Sequence, residues 1–139
     1  MPRRLSTALL LATLAVTLVA CSSSTPSVTA PPALEPRTVA AGSVTVKVTP
    51  QRIDDQGAVF ALVFDTHSGA LSLDVVASTT LTVDGKPWPT TSWTGDGPGG
   101  HHRVGTLNFT SNGPPRGDVE LSIANLPQGV NVSWTLDAP

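Results

Sequence analysis

Hydrophobic and polar residues alternate through most of the chain after Gly42. Val44, Val46 and Val48 share one parity, opposite Thr45, Lys47 and Thr49. Such period-two spacing marks a strand with one buried face. Pro50 closes that run, and Asp54-Asp55-Gln56-Gly57 predicts a turn. Ala58 to Thr66 is apolar on both parities, with Phe60, Leu62 and Phe64 against Val59, Ala61 and Val63, which predicts a central strand. Leu71, Leu73 and Val75 alternate again, as do Leu81 and Val83 before an Asp84-Gly85 turn. Lys86 to Gly100 breaks the pattern: Pro87, Pro89 and Pro98 remove ladder donors, so the stretch is expected to be irregular. Its Trp88 and Trp93 are expected to pack over the edge or end of the core. Alternation resumes at Leu107 and Phe109 within His102 to Thr110, and at Val119, Leu121 and Ile123. After a Pro127-Gln128-Gly129 turn come Val130, Val132, Trp134 and Leu136.

Seven or eight short strands in about a hundred residues predict an all-β, two-sheet sandwich of immunoglobulin or fibronectin type III style. A small barrel is the alternative closure. No helix of normal length has room in this part of the chain.

The first twenty residues follow a different rule. Arg3 and Arg4 precede an apolar stretch from Leu5 to Val19, and small Ala20 precedes Cys21. A charged start, an apolar middle and a small residue at the cut are the parts of a secretory signal. Leu18-Val19-Ala20-Cys21 resembles the lipobox of bacterial lipoproteins at all four positions. That resemblance implies a diacylglycerol on the Cys21 thiol, cleavage before it, a further acyl chain, and a protein held to the outside of the cytoplasmic or outer membrane. An uncleaved membrane span is the competing reading. The stretch falls short of the ~20 apolar residues a span needs, and Ser6, Thr7, Thr13 and Thr17 dilute it. The Arg3-Arg4 pair alone is a thin sign of twin-arginine export. From Cys21 to Ala41 the chain is rich in Ser, Thr and Pro, which predicts an extended linker. The expected organisation is therefore a signal peptide over 1–20, a lipidated cysteine and linker over 21–41, and a sandwich over 42–139.

Charge narrows the partners. Only 13% of residues are charged, and the formal net charge is −2. From Cys21 onward six basic residues face ten acidic ones, a balance of −4. A mildly acidic domain with no basic run offers nothing to phosphates, so a nucleic-acid partner is not expected. With a single cysteine, no disulfide forms within the chain.

The candidates for chemistry are the chain's three histidines. His67 follows the predicted central strand in Asp65-Thr66-His67-Ser68. His101 and His102 end the loop Asp96-Gly97-Pro98-Gly99-Gly100 and open a later strand. In strand order the Phe60 strand is B and the His102 strand is about E. Those two are antiparallel neighbours in an immunoglobulin-like sheet, which would put His67 near His101 and His102. Imidazoles suit zinc or copper(II), and Asp65 or Asp96 could add an oxygen ligand. Alternation allows only one of His101 and His102 to face His67 in a regular strand. The plainer alternative is histidines that settle turns by bonding backbone groups. The blocks Asp65-Thr66-His67-Ser68 and Gly99-Gly100-His101-His102-Arg103 resemble paired signatures of small, uncharacterised exported bacterial proteins, which implies no particular activity.

No serine lies in a nucleophile elbow, Ser68 beside His67 is a neighbour in sequence only, and Asp54-Asp55 reads as a solvated turn. The glycine-rich loop lacks the Lys-Ser/Thr of a phosphate loop. An enzyme is therefore not expected. The leading expectation is a membrane-anchored, extracytoplasmic β-sandwich binding zinc or copper(II) through its histidines. The alternative is an envelope interaction module without metal, working through a sheet edge or the Trp88–Trp93 loop.

Overall fold

The computed structural model describes residues 34–137, and there the alternating runs become nine strands. They are β1 (Arg37–Ala41), β2 (Val44–Asp54), β3 (Gly57–Thr66), β4 (Thr79–Val83), β5 (Lys86–Trp88), β6 (Thr90–Gly95), β7 (His102–Thr110), β8 (Gly117–Ile123) and β9 (Val130–Leu136). One helical turn, α1 (Val75–Ser78), precedes β4. The predicted signal segment, Cys21 and the linker before Leu34 lie outside the described residues. Among the described residues no helix is long and apolar enough to cross a membrane.

The strands form two antiparallel sheets, ordered β1-β2-β3-β7-β6 and β5-β4-β8-β9. Immunoglobulin sandwiches place A, B, E and D in one sheet and C, F and G in the other. Here β2, β3, β7 and β6 take the first set of places, and β4, β8 and β9 take the second. The expected sandwich is present, with β1 and β5 as extra edge strands.

Both additions come from stretches expected to lack strands. Arg37–Ala41 fell in the expected linker, yet it pairs with β2 and turns back at Gly42, whose φ of 70° suits glycine. Ala41 is buried, Leu34 and Val39 pack on the core, and the Trp134 indole Nε1 donates to the Glu35 carbonyl at 2.7 Å. The sandwich therefore begins ahead of Gly42. In Lys86–Gly95 the prolines did not prevent strands, because Pro87 lies on an edge strand and Pro89 where the chain changes sheet. The opposite happened at Leu71-Ser72-Leu73-Asp74, expected to be a strand. These residues carry the chain from the first sheet to the second, and the Asp74 side chain caps α1 by accepting from Ala77 N–H at 3.0 Å. Leu71 and Val75 are buried all the same, so the alternation recorded burial without a ladder.

The core lies between the sheets. Val46, Val48, Phe60, Leu62, Phe64 and Leu107 of the first sheet face Leu81, Val83, Val119, Leu121, Ile123 and Val130 of the second. Phe60 meets Phe109 edge-on at 5.8 Å and Trp134 at 5.6 Å. Burying each such side chain contributes about 1.5–3 kcal/mol before entropy is subtracted. As expected, β3 is the middle strand of its sheet. Its second apolar set, Val59, Ala61 and Val63, is half-buried at the outer face, because the fold has only two layers.

Candidate functional site

Three chain segments meet at one end of the first sheet: the exit of β3, the start of β7, and the loop from Asp96 to His101. The register pairs Asp65 with His102 and Phe64 with Arg103. Alternation then sends Asp65 and His102 to the outer face, and Phe64 and Arg103 inward.

On the outer face His102 Nδ1 hydrogen-bonds to Asp65 Oδ1, with the two side chains 58% and 52% exposed. A carboxylate can only accept, so Nδ1 carries the proton, and in a neutral ring Nε2 holds the free lone pair. His101 lies just before β7 and uses its carbonyl to accept from Thr66 N–H at 2.8 Å. His67 is exposed in the bend after β3. The B-to-E neighbourhood expected from strand order is thus present. The pair it brings into contact is His102 with Asp65.

Asp96 has another occupation. Its Oδ2 accepts from Val104 N–H at 2.9 Å, and its own N–H donates to the Val104 carbonyl at 2.9 Å. Its carbonyl accepts from Trp93 Nε1 at 3.0 Å and from Arg103 at 3.2 Å. It fastens the end of β6 to the start of β7. Among the described residues no group of three or more His, Cys, Asp or Glu is arranged to hold a metal ion.

The inward residue Arg103 was named in the sequence only as the end of a motif. It is 2% exposed. Its Nη1 donates to the carbonyls of Leu71 at 3.0 Å and Leu73 at 2.8 Å, and its Nη2 to that of Asp96 at 3.2 Å. The guanidinium carbon lies 5.8 Å from the centre of the Trp93 ring, a cation–π distance. Nε is buried without a hydrogen-bond partner. Among the described residues the carboxylates in contact with a basic side chain are Asp54 with Arg52, Asp65 with His102 and Asp84 with Arg116, so this buried cation has no carboxylate. A signal for it existed: residues 103, 105, 107 and 109 share a parity, and Leu107 and Phe109 were already assigned to the core.

Trp93 owes its place to glycine. A Cβ on Gly105 would fall 2.4 Å from Trp93 Cζ2 and 2.7 Å from the Thr94 carbonyl oxygen, so the indole lies against bare backbone. The ring is half-buried, 6.4 Å from Phe64. Trp88 is 2% exposed and belongs to the core, its Nε1 unpartnered. The two indoles are therefore packed and do not form an exposed aromatic patch. Beside Trp93 a cleft of about 370 Å³ opens between β6 and the segment leading into α1, walled by Leu73, Val75, Val76, Trp93, Pro98 and Arg103 among others.

At the opposite end of β2 lies a second, exposed charged contact. The Arg52 guanidinium, 2.7 and 2.9 Å from the two Asp54 oxygens, holds that carboxyl below the usual carboxylate range. Compared with known proteins, the chain matches no family model, no curated protein and no solved structure.

Proposed function

We propose that this chain is an exported lipoprotein, tethered through a lipid on Cys21, whose sandwich is a non-enzymatic recognition module for another envelope protein. The tether rests on the Leu18-Val19-Ala20-Cys21 run and the charged, apolar stretch before it. Two acyl chains make such an anchor stable, where one alone gives marginal binding.

The observation that carries the recognition reading is the state of the sheet edges. β1 begins with Arg37, and the backbone just before it receives the Trp134 indole of β9. β5 has three residues, two of them Lys86 and Pro87, which discourage a further strand. β6 and β9 both lack charge and proline; β9 is bonded through its Trp134 indole to the backbone ahead of β1, whereas Thr90-Thr91-Ser92-Trp93-Thr94-Gly95 of β6 is mostly exposed and pairs with β7 alone. An uncharged edge of this length is a template for strand addition by an extended partner segment.

Photo-crosslinking from Ser92 in the full membrane-bound chain tests this, with exposed Glu120 on β8, a strand paired on both sides, as the control position. A discrete product from Ser92, lost when Thr94→Lys charges the same edge, is the expected result. Equal products from both positions, or none from Ser92, would sink the reading.

The His102–Asp65 contact favours a second reading, in which zinc or copper(II) is held by His102 Nε2, with Asp65 orienting the ring and His67 or His101 joining. Calorimetric titration of the full chain with each metal decides it. One-to-one heat that disappears in His102→Ala supports a metal site, and equal heats from both proteins remove it.

A further inference from the structure

Arg103 is the most anomalous side chain in the fold. A guanidinium 98% removed from water normally has a carboxylate beside it, since burying an unpaired charge costs several kcal/mol. Here three neutral carbonyls stand in. They are also unevenly distributed. Nη1 is satisfied by two of them, whereas Nη2 has a single contact, the longest of the three at 3.2 Å, and Nε has none. Nε and Nη2 form the side-on edge of a guanidinium, whose parallel N–H bonds match the two oxygens of a carboxylate. The unsatisfied part of Arg103 is therefore its carboxylate-binding fork.

The same arginine lines the cleft beside Trp93. The other walls include the apolar faces of Leu73, Val76, Trp93 and Pro98, and the volume, about 370 Å³, is at the small end of ligand pockets. We infer that this cleft binds a small carboxylate with a compact apolar body. Its two oxygens take the Nε–Nη2 edge of Arg103, and its body lies against Trp93 and Leu73. This goes beyond recognition of an envelope partner and does not depend on it.

Two features make the site workable. Nothing lies within 4 Å of a Cβ built on Gly97 or Gly99, and the loop is held to Leu71 by two backbone hydrogen bonds, Gly99 N–H to the Leu71 carbonyl and Leu71 N–H to the Gly100 carbonyl, both 2.9 Å, which an entering ligand would loosen. The cleft's own carboxylates are already engaged: Asp74 accepts from Ala77 N–H and Asp96 from Val104 N–H, and both residues are exposed, where water screens them.

The test is NMR titration of the full chain in mild detergent with phenylacetate and, separately, with the isosteric neutral phenylacetamide. Phenylacetate is expected to move the Arg103 Nε–H, Trp93 indole and Gly97–Gly100 signals, and to bind at least about tenfold more tightly than the amide, as a charge-assisted pair requires. Arg103→Lys keeps the charge but loses the fork, and is expected to abolish the difference between the two probes. Equal affinity of acid and amide for the unaltered protein, or shifts confined to residues outside the cleft, would overturn the inference. Both of those readouts are made on unaltered protein and stand whether or not the variant folds.

Discussion

At the scale of single residues, the contacts around Trp93 and Phe60 make the sharpest predictions. Gly105→Ala drives a methyl group into the Trp93 ring and the Thr94 carbonyl, and strand backbone cannot step aside easily. Overpacking of this kind costs about 1–3 kcal/mol, read as a lower urea midpoint with an unchanged slope. Phe60→Ala empties the meeting point of three aromatic rings and is expected to cost about 3–5 kcal/mol. Asp54 supplies a pH signature. Its folded-state pKa is lowered, so its contribution is present above the ordinary carboxylate value and fades as pH falls through the lowered one. The pair is exposed, with side chains 45% and 39% accessible, so the effect is on the order of a few tenths of a kcal/mol. Asp54→Asn should lower stability by that amount at neutral pH and by progressively less as pH falls, the two denaturation profiles converging below the lowered pKa. At this scale the sequence was informative about parity and silent about partners. Alternation assigned Phe60, Leu62 and Phe64 to the core, and the parity of Leu107 and Phe109 put Arg103 there too, but a charged residue at an apolar register was passed over. The carboxylate of Asp96 looked like a ligand because its bond to Val104 N–H depends on how the loop returns to β7.

At the scale of elements, each difference from expectation has a physical cause. Alternation over Leu71-Ser72-Leu73-Asp74-Val75 reflects two burials along a crossover, and a few residues cannot separate that from a strand. Prolines misled in Lys86–Gly95 because their effect depends on whether a neighbour pairs on that side, which is a property of topology. β1 was hidden by its neighbours: Pro31, Pro32 and Pro36 made the whole stretch read as linker, although Thr38 and Val39 favour a strand. This last point is testable. A chain starting at Gly42 loses the β1 pairing, the burial of Ala41 and the Glu35–Trp134 hydrogen bond, whereas one starting at Leu34 keeps them. The shorter chain is expected to melt at least several degrees lower, and equal melting temperatures would show that β1 adds nothing. The B-to-E adjacency, in contrast, was legible, because strand order in this sandwich type constrains which ends meet.

For the whole molecule, the fold and the proposed tether belong to different parts of the chain and rest on different kinds of reasoning. The sandwich is a matter of packing. The tether is a matter of a short processing signal, in which four residues carry most of the information. Membrane attachment and surface recognition fit together physically, since a tether raises the local concentration of a module near its envelope partners. The most direct measurement is therefore intact-mass and N-terminal peptide analysis of the membrane fraction, beside Cys21→Ser. The expected product is a mature chain that begins at Cys21 and carries acyl mass on that residue, with the Cys21→Ser chain lacking that mass and left unprocessed. A wild-type chain with an unmodified Cys21 thiol, or one still carrying Met1 to Ala20, would contradict it.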